Sequence, residues 1–233
     1  MSMMKIWNEL LNLFFPSLCV LCHRPLIDGE EQLCLHCSCN LSYTYFDNAD
    51  TNEVAQLFMG KFPFEKATAM FYYQKGGAVQ KLIHALKYHD NQELAYYLGR
   101  QAAIRLKQAG FVDDMDVLLP MPLHFSKECK RGYNQAELIA QGMASVLYLP
   151  IETSAVKRVV NSSTQTHKEV YERWQNVQNV FVLTEKTKHL QGKHILIVDD
   201  VITTGSTIAS CAVTCLSISN VRVSMMGIAL AHR

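Results

Sequence analysis

The chain has 233 residues, of which 49% are apolar and 18% charged, with 11 Gly and 6 Pro, a composition that supports a packed core and excludes a disordered or collagen-like polymer. Its length suits one α/β domain plus a small appendage and is too short for two full-sized domains. Lys plus Arg (22) nearly balance Asp plus Glu (21), so the formal charge of +1 leaves no global field toward nucleic acid or anionic lipid, and any basic site must be local.

The apolar stretch from Ile6 to Phe15 is interrupted by Asn8, Glu9 and Asn12 and is followed by no small-x-small cleavage site. It reads as a short amphipathic helix with Ile6, Leu10, Leu13 and Phe14 on one face, not as a signal peptide. Leu18 is too large to precede a lipidated cysteine at position 19. No apolar run reaches the roughly 18 residues of a membrane-spanning helix. The expectation is a soluble, cytoplasmic protein whose eight cysteines stay reduced, so paired spacing points to metal.

Five cysteines fall between residues 19 and 39, where Cys19-Val-Leu-Cys22 and Cys34-Leu-His-Cys37 make two C-x2-C knuckles separated by eleven residues. Four thiolates complete a tetrahedral shell with no open position, the arrangement of a structural zinc site. Such a site supplies on the order of 10 kcal/mol of folding free energy to a segment too small to bury a core. His23 and His36 flank the knuckles as alternative ligands, and Cys39 is a surplus thiol. Neither pair opens a βαβ unit, which argues against redox catalysis.

A boundary falls in the polar stretch Asp47 to Asn52, giving a zinc-ribbon head over 1–48 and a body over 62–233. Residues 67–73 are β-prone and end at the Lys75-Gly76-Gly77 turn. Helices are predicted over 78–87, with Leu82, Ile83 and Leu86 on one face, and over 92–108, with Gly110 as the stop. A short strand over 116–119, closed by Pro120 and Pro122, leads into a basic loop (Lys127, Lys130, Arg131, Gly132) that also holds a bystander thiol, Cys129. A helix from about 135 to 146 follows. The stretch 156–182 reads as strand edges flanking a polar arm expected to be mobile. After it come a strand over 194–198, a turn over 199–206, a helix over 207–217 with Cys211 and Cys215 in the core, and a strand over 221–229. Strands alternating with helices predict an α/β fold with a mostly parallel sheet covered on both faces.

The run from His194 to Thr207 carries the strongest functional signal. Its apolar strand delivers Asp199 and Asp200 to the carboxyl edge of the sheet, where open α/β sheets bind ligands. A hydroxyl-rich turn then opens a helix whose free N–H groups attract a phosphate. Gly205 permits close backbone approach, and Thr203, Thr204, Ser206 and Thr207 add hydroxyls. Carboxylates beside a phosphate cradle repel a polyphosphate chain but accept hydrogen bonds from sugar hydroxyls, so the pattern asks for a phosphorylated sugar.

The segment Val198 to Thr207 resembles the phosphoribosyl pyrophosphate (PRPP) signature of the type I phosphoribosyltransferases. The whole chain resembles the ComF family of competence and gluconate-uptake-associated proteins, which join a zinc ribbon to that fold. The likeness extends to Leu86-Lys87-Tyr88, Pro120-Met121-Pro122, Arg131-Gly132-Tyr133-Asn134-Gln135, Asn176-Val177 and Phe181. It implies that Asp199 and Asp200 hold the ribose 2′ and 3′ hydroxyls and that the loop from Val201 through Thr203, Thr204, Gly205, Ser206 and Thr207 holds the 5-phosphate. Pyrophosphate would meet the turn at Pro122 and Leu123, with Lys127, Lys130 and Arg131 beside it and magnesium carried largely by the substrate's own oxygens. The run from Arg131 to Gln135 is equally open to a structural reading as a helix entry with Asn134 as N-cap.

In the arm, Thr164, Gln165, Arg173 and Asn176 follow the family pattern, whereas Lys168 stands where an apolar residue is usual. The resemblance implies that Gln165, Lys168 and the catalytic Arg173 close over the substrate, although Lys168 also fits a different acceptor. Two functions follow. One is transfer of phosphoribose from PRPP, with magnesium, to a nitrogen acceptor. The other is a PRPP-binding accessory role in DNA uptake, with single-stranded DNA held by Lys157, Arg158, Lys168, Arg173, Lys186, Lys188 and Lys193 and stacked on Tyr171 and Trp174. The oligomeric state is left open.

Overall fold

The computed structural model describes residues 16–44, 52–88, 91–160 and 180–231. The amphipathic helix expected before Pro16 and the arm residues Gln165, Lys168, Tyr171, Arg173 and Trp174 lie outside the described residues. Two short helices come first, α1 (Leu35–Cys39) and α2 (Glu53–Gln56), followed by β1 (Ala67–Tyr73), α3 (Ala78–Tyr88) and α4 (Gln92–Gln108). Next are β2 (Val117–Pro120), α5 (Phe125–Arg131), α6 (Gln135–Leu147), β3 (Val156–Arg158) and β4 (Phe181–Leu183). The chain continues through β5 (His194–Ile202), α7 (Ser206–Leu216) and β6 (Arg222–Ala231).

The main sheet is parallel throughout, in the order β1-β6-β5-β2, and a single parallel bridge between Leu118 and Ile151 extends it past β2. Parallel strands covered on both faces read as continuous apolar runs, and all five residues from His194 to Val198 are buried. Their side chains alternate between two cores. Leu196 and Val198 meet Leu82, Leu86, Leu98 and Ile139 from α3, α4 and α6. Ile195 and Ile197 share the other core with Ile208, Cys211 and Cys215 from α7 and with Val54 and Phe58 from the α2 segment. The two helical cysteines are thus core residues, as the sequence suggested. Strands β3 and β4 form a separate antiparallel pair at the roots of the arm.

Helices α4 and α6 cross at backbone contact. A Cβ on Gly142 would lie 2.1 Å from the Tyr96 carbonyl oxygen, and one on Gly99 would lie 2.0 Å from the Ile139 carbonyl oxygen. No side-chain rotation relieves a clash with backbone on the far side. Gly142→Val is therefore expected to lower stability by about 3 kcal/mol, at the upper end of overpacking costs, measured as the shift in urea midpoint. A loss under about 0.5 kcal/mol, the range of neutral surface changes, would show that the crossing yields.

The structure corrects two local expectations. The basic stretch after β2 is a helix and not a loop: His124 Nδ1 accepts from the Ser126 N–H at 3.2 Å to cap its start, and Gly132, at φ 79°, closes it in the left-handed conformation. The strand over 194–198 does not end before the acidic pair. β5 runs on to Ile202, with Asp199 paired to Gly227 and Val201 to Ala229, so both carboxylates are carried on paired strand instead of a turn.

Candidate functional site

The head places four sulfurs together. The Sγ atoms of Cys19, Cys22, Cys34 and Cys37 all lie within 4.8 Å of one another, and those of Cys22 and Cys34 are 3.6 Å apart. A tetrahedral zinc with bonds of about 2.3 Å sets its sulfurs about 3.8 Å apart, so the cluster fits that ion. Cys39 is exposed and outside the cluster. The Arg24 backbone N–H and guanidinium hold the Cys22 thiol down to about 6, whereas burial and hydrogen bonding with the other sulfurs push Cys37 up to about 12. One divalent cation would settle this opposition by binding all four as thiolates. The head is tied to the body by backbone: the Tyr72 N–H donates to the Ser42 carbonyl at 2.7 Å, the Thr44 N–H to the Met70 carbonyl at 3.0 Å, and the Arg105 guanidinium lies 4.1 Å from the centre of the Tyr43 ring.

At the carboxyl edge of the sheet, one cleft is lined by Met121, Pro122, Leu123, Arg131, Asn134, Gln135, Arg158, Asp199, Asp200 and Thr207. The structure thus brings the turn after β2 and Arg131, which the sequence ties to this site only through a resemblance, against the acidic pair and the start of α7. The Asp200 N–H donates to Asp199 Oδ1 at 2.8 Å, fixing the first carboxyl. Thr204 and Ser206 hydroxyl oxygens are 2.9 Å apart ahead of α7, and Thr203, Thr204 and Thr207 are exposed. Gly205 is at φ +73°, and a Cβ there would come within 2.6 Å of the Phe58 ring. Only glycine suits that turn, and Phe58, buried among Phe62 and Phe64, is its floor. Val201 packs against the opposite core, the one that α3, α4 and α6 line. The Lys127 and Lys130 side chains, like Gln165, Lys168 and Arg173, fall outside what is described.

Two cations are carried to this edge by the tertiary fold alone. Lys87 Nζ lies 3.0 Å from Asp200 Oδ2, with only 24% and 16% of the two side chains exposed. It sits near the end of α3, which the Tyr133 hydroxyl holds by donating to the Leu86 carbonyl at 2.8 Å. Arg158, at the end of β3, reaches the cleft with its guanidinium 5.7 Å from the centre of the Phe181 ring, and acts electrostatically on Asp199. In the sequence Lys87 stands in a family-like triplet and Arg158 among the basic residues expected to hold single-stranded DNA. Nothing in the local pattern places either beside the acidic pair.

Burial and the Asp200 charge push Asp199 up to about 8, against the pull of the Asp200 N–H, Lys87 and Arg158. A carboxyl raised above its unfolded value of about 4 stabilises the fold fully below that pH and loses the contribution as pH rises through its folded value. The melting temperature of Asp199→Asn is therefore expected to fall less than that of the unsubstituted protein from about pH 4 to about pH 8. Parallel melting curves across that window would contradict the assignment.

The opposite edge of the sheet holds a misleading likeness. Asp114, His194 and Ser224 stand in acid, imidazole, hydroxyl order, with His194 Nδ1 3.1 Å from Asp114 Oδ2 and Nε2 2.9 Å from Ser224 Oγ. His194 and Ser224 are 0% exposed, and the Lys66 N–H already donates to the serine oxygen at 3.1 Å. No substrate reaches this serine, so the trio is a hydrogen-bond network running from the exposed Asp114 to a buried imidazole and hydroxyl, and not a hydrolytic centre. Lys193 belongs to the same edge, 3.4 Å from Asp116, so it does not share a groove with Arg158.

Residues 134–231 match the phosphoribosyl transferase domain family. Over 212 residues the chain is 29% identical to the DNA utilization protein YhgH of Escherichia coli strain K12, covering 84% of this chain and 89% of that protein. It is 32% identical over 130 residues to competence protein F of Haemophilus influenzae, covering 54% of this chain and 57% of that one. Among solved structures, adenine phosphoribosyltransferase from Saccharomyces cerevisiae aligns at 18% identity with a TM-score of 0.33, covering 65% of this chain and 69% of that one. No helix among the described residues is long and apolar enough to cross a membrane.

Proposed function

We propose that this chain, which resembles the ComF family, matches the phosphoribosyl transferase domain family over residues 134–231 and has relatives named DNA utilization and competence proteins, binds PRPP with magnesium in its cleft and transfers phosphoribose to a nitrogen acceptor, and that its head holds one structural zinc. The observation that carries this reading is the convergence of an acidic pair, a hydroxyl-rich helix start and the Pro122–Arg131 segment on one cleft.

Each part has a chemical task. The free N–H groups of α7 and the hydroxyls of Thr204, Ser206 and Thr207 take the 5-phosphate. Asp200, with Lys87 against it, accepts from the ribose hydroxyls, and Asp199 orients the same groups. Magnesium, arriving on the substrate's oxygens, would spread the pyrophosphate charge. Leu123 and Arg131 line the cleft where the leaving group would sit and negative charge grows as its bond to C1 of the ribose breaks; stabilising that charge is the largest contribution open to the protein. The acceptor nitrogen bonds to C1 and releases its proton to solvent. Gln165, Lys168 and Arg173, which lie outside the described residues, are the arm residues that this reading assigns to the substrate.

A second reading keeps the PRPP site but makes it a sensor for a DNA-uptake component, and the names of the homologues favour it. Proteolysis with and without PRPP and magnesium, together with a pyrophosphate-release screen across nitrogenous acceptors, separates the readings. The transferase predicts protection of residues 161–177 and acceptor-dependent release of pyrophosphate. Protection without release under any acceptor favours the sensor, and neither effect refutes both.

A further inference from the structure

Gln135 opens α6 and is 2% exposed, yet it lines the same cleft as Asp199, Asp200, Arg131 and Thr207. Its Oε1 accepts from Arg131 Nη1 at 2.8 Å. A guanidinium offers donors only, so this bond fixes which end of the amide is oxygen. Nε2 must therefore take the other side, where it is buried with no hydrogen-bond partner among the described residues. A buried amide donor left in that state costs stability that an apolar residue of the same size would not, and such groups persist where a ligand completes them.

The surroundings hold Gln135 in place. Asn134 Nδ2 donates to the Met121 carbonyl at 3.1 Å, and Asn134 Oδ1 accepts from the Ala136 N–H at 3.1 Å. The start of α6 is thereby joined to the turn carrying Pro122 and Leu123. Arg131 and Gln135, four positions apart and bonded to each other, make a donor pair in this cleft.

We propose that Gln135 is a ligand-contacting residue whose Nε2 donates to an oxygen of the pyrophosphate group beside Arg131. The identity of that anion rests on the PRPP reading. The donor is neutral and fixed, so it discriminates in favour of an anionic or carbonyl oxygen and contributes nothing to a ligand that ends at the ribose.

Full-length, zinc-loaded protein is titrated calorimetrically with inorganic pyrophosphate plus magnesium, and separately with ribose 5-phosphate. Gln135→Glu keeps the acceptor that Arg131 uses and replaces the donor by an anion. Gln135→Met removes the donor at similar volume, and Gln135→Asn withdraws it by one methylene if either of the others fails to fold. Pyrophosphate affinity is expected to fall by about tenfold or more in each variant, with ribose 5-phosphate affinity held within about twofold. Unchanged pyrophosphate affinity overturns the proposal, as does an equal loss of both ligands or the absence of pyrophosphate binding in the unsubstituted protein. If pyrophosphate binds through Gln135 while PRPP does not, the PRPP reading fails and this one stands.

Discussion

Cys34→Ser is expected to abolish binding of about one equivalent of zinc and to open residues 17–44 to protease. The apolar side chains of this segment cannot hold it alone: Cys19, Leu33, Cys34 and Leu41 are buried, but Leu18, Ile27 and Leu35 are 49%, 71% and 69% exposed. A structural zinc contributes about 10 kcal/mol or more to such a fold, against the few that so small a core provides. The effect should spread. Ser42 and Thr44 are bonded to the edge of β1, so loss of the head leaves Tyr72 N–H and the Met70 carbonyl without those partners. Zinc content by atomic absorption and limited proteolysis check this, with Cys39→Ser as the control that keeps both metal and resistance. Retention of zinc by Cys34→Ser would remove that thiolate from the ligand set.

Replacing Asp200 is expected to have the second large effect, and the choice of replacement matters. The sequence alone presents Asp200 as an exposed strand end that truncation would leave harmless to the fold. The structure puts Lys87 Nζ 3.0 Å away with most of its side chain buried, so Asp200→Ala would also strand a cation. Asp200→Asn keeps the volume and one acceptor oxygen while removing the charge. Losing charge-assisted hydrogen bonds to ribose hydroxyls costs about 1.5–3 kcal/mol, or about 10–150-fold in PRPP affinity. The Lys87→Met variant separates the two contributions: it leaves the carboxylate and removes only its counter-charge, so it is expected to change PRPP affinity less than Asp200→Asn.

Elements whose hydrophobic spacing is internally consistent were legible in advance. The strand over 67–73 and the helix over 92–108 are found at those bounds, and the helix predicted over 78–87 ends one residue later. α5 was not legible because Phe125–Arg131 has no apolar face to repeat; caps at both ends sustain it. The extension of β5 through Asp199 and Asp200 was missed for a related reason. Adjacent carboxylates look like a turn, yet pairing with β6 on one side determines their backbone. The hydroxyl-rich turn from Thr203 to Thr207 is legible because its residues are consecutive. Lys87, Arg158 and Gln135 were not, because only the tertiary fold carries α3, β3 and the start of α6 to the end of β5. The glycine crossing of α4 and α6 has no sequence signal either, since what demands glycine there is the partner helix's backbone.

We read the cleft at the end of β5 as a magnesium-dependent PRPP site. Isothermal titration of zinc-loaded protein with PRPP, in the presence and absence of magnesium, tests it directly. Saturable one-site binding that needs magnesium and is weakened about 10–150-fold by Asp200→Asn is the expected result. Absence of saturable binding, or binding that is indifferent to both magnesium and Asp200→Asn, would contradict it.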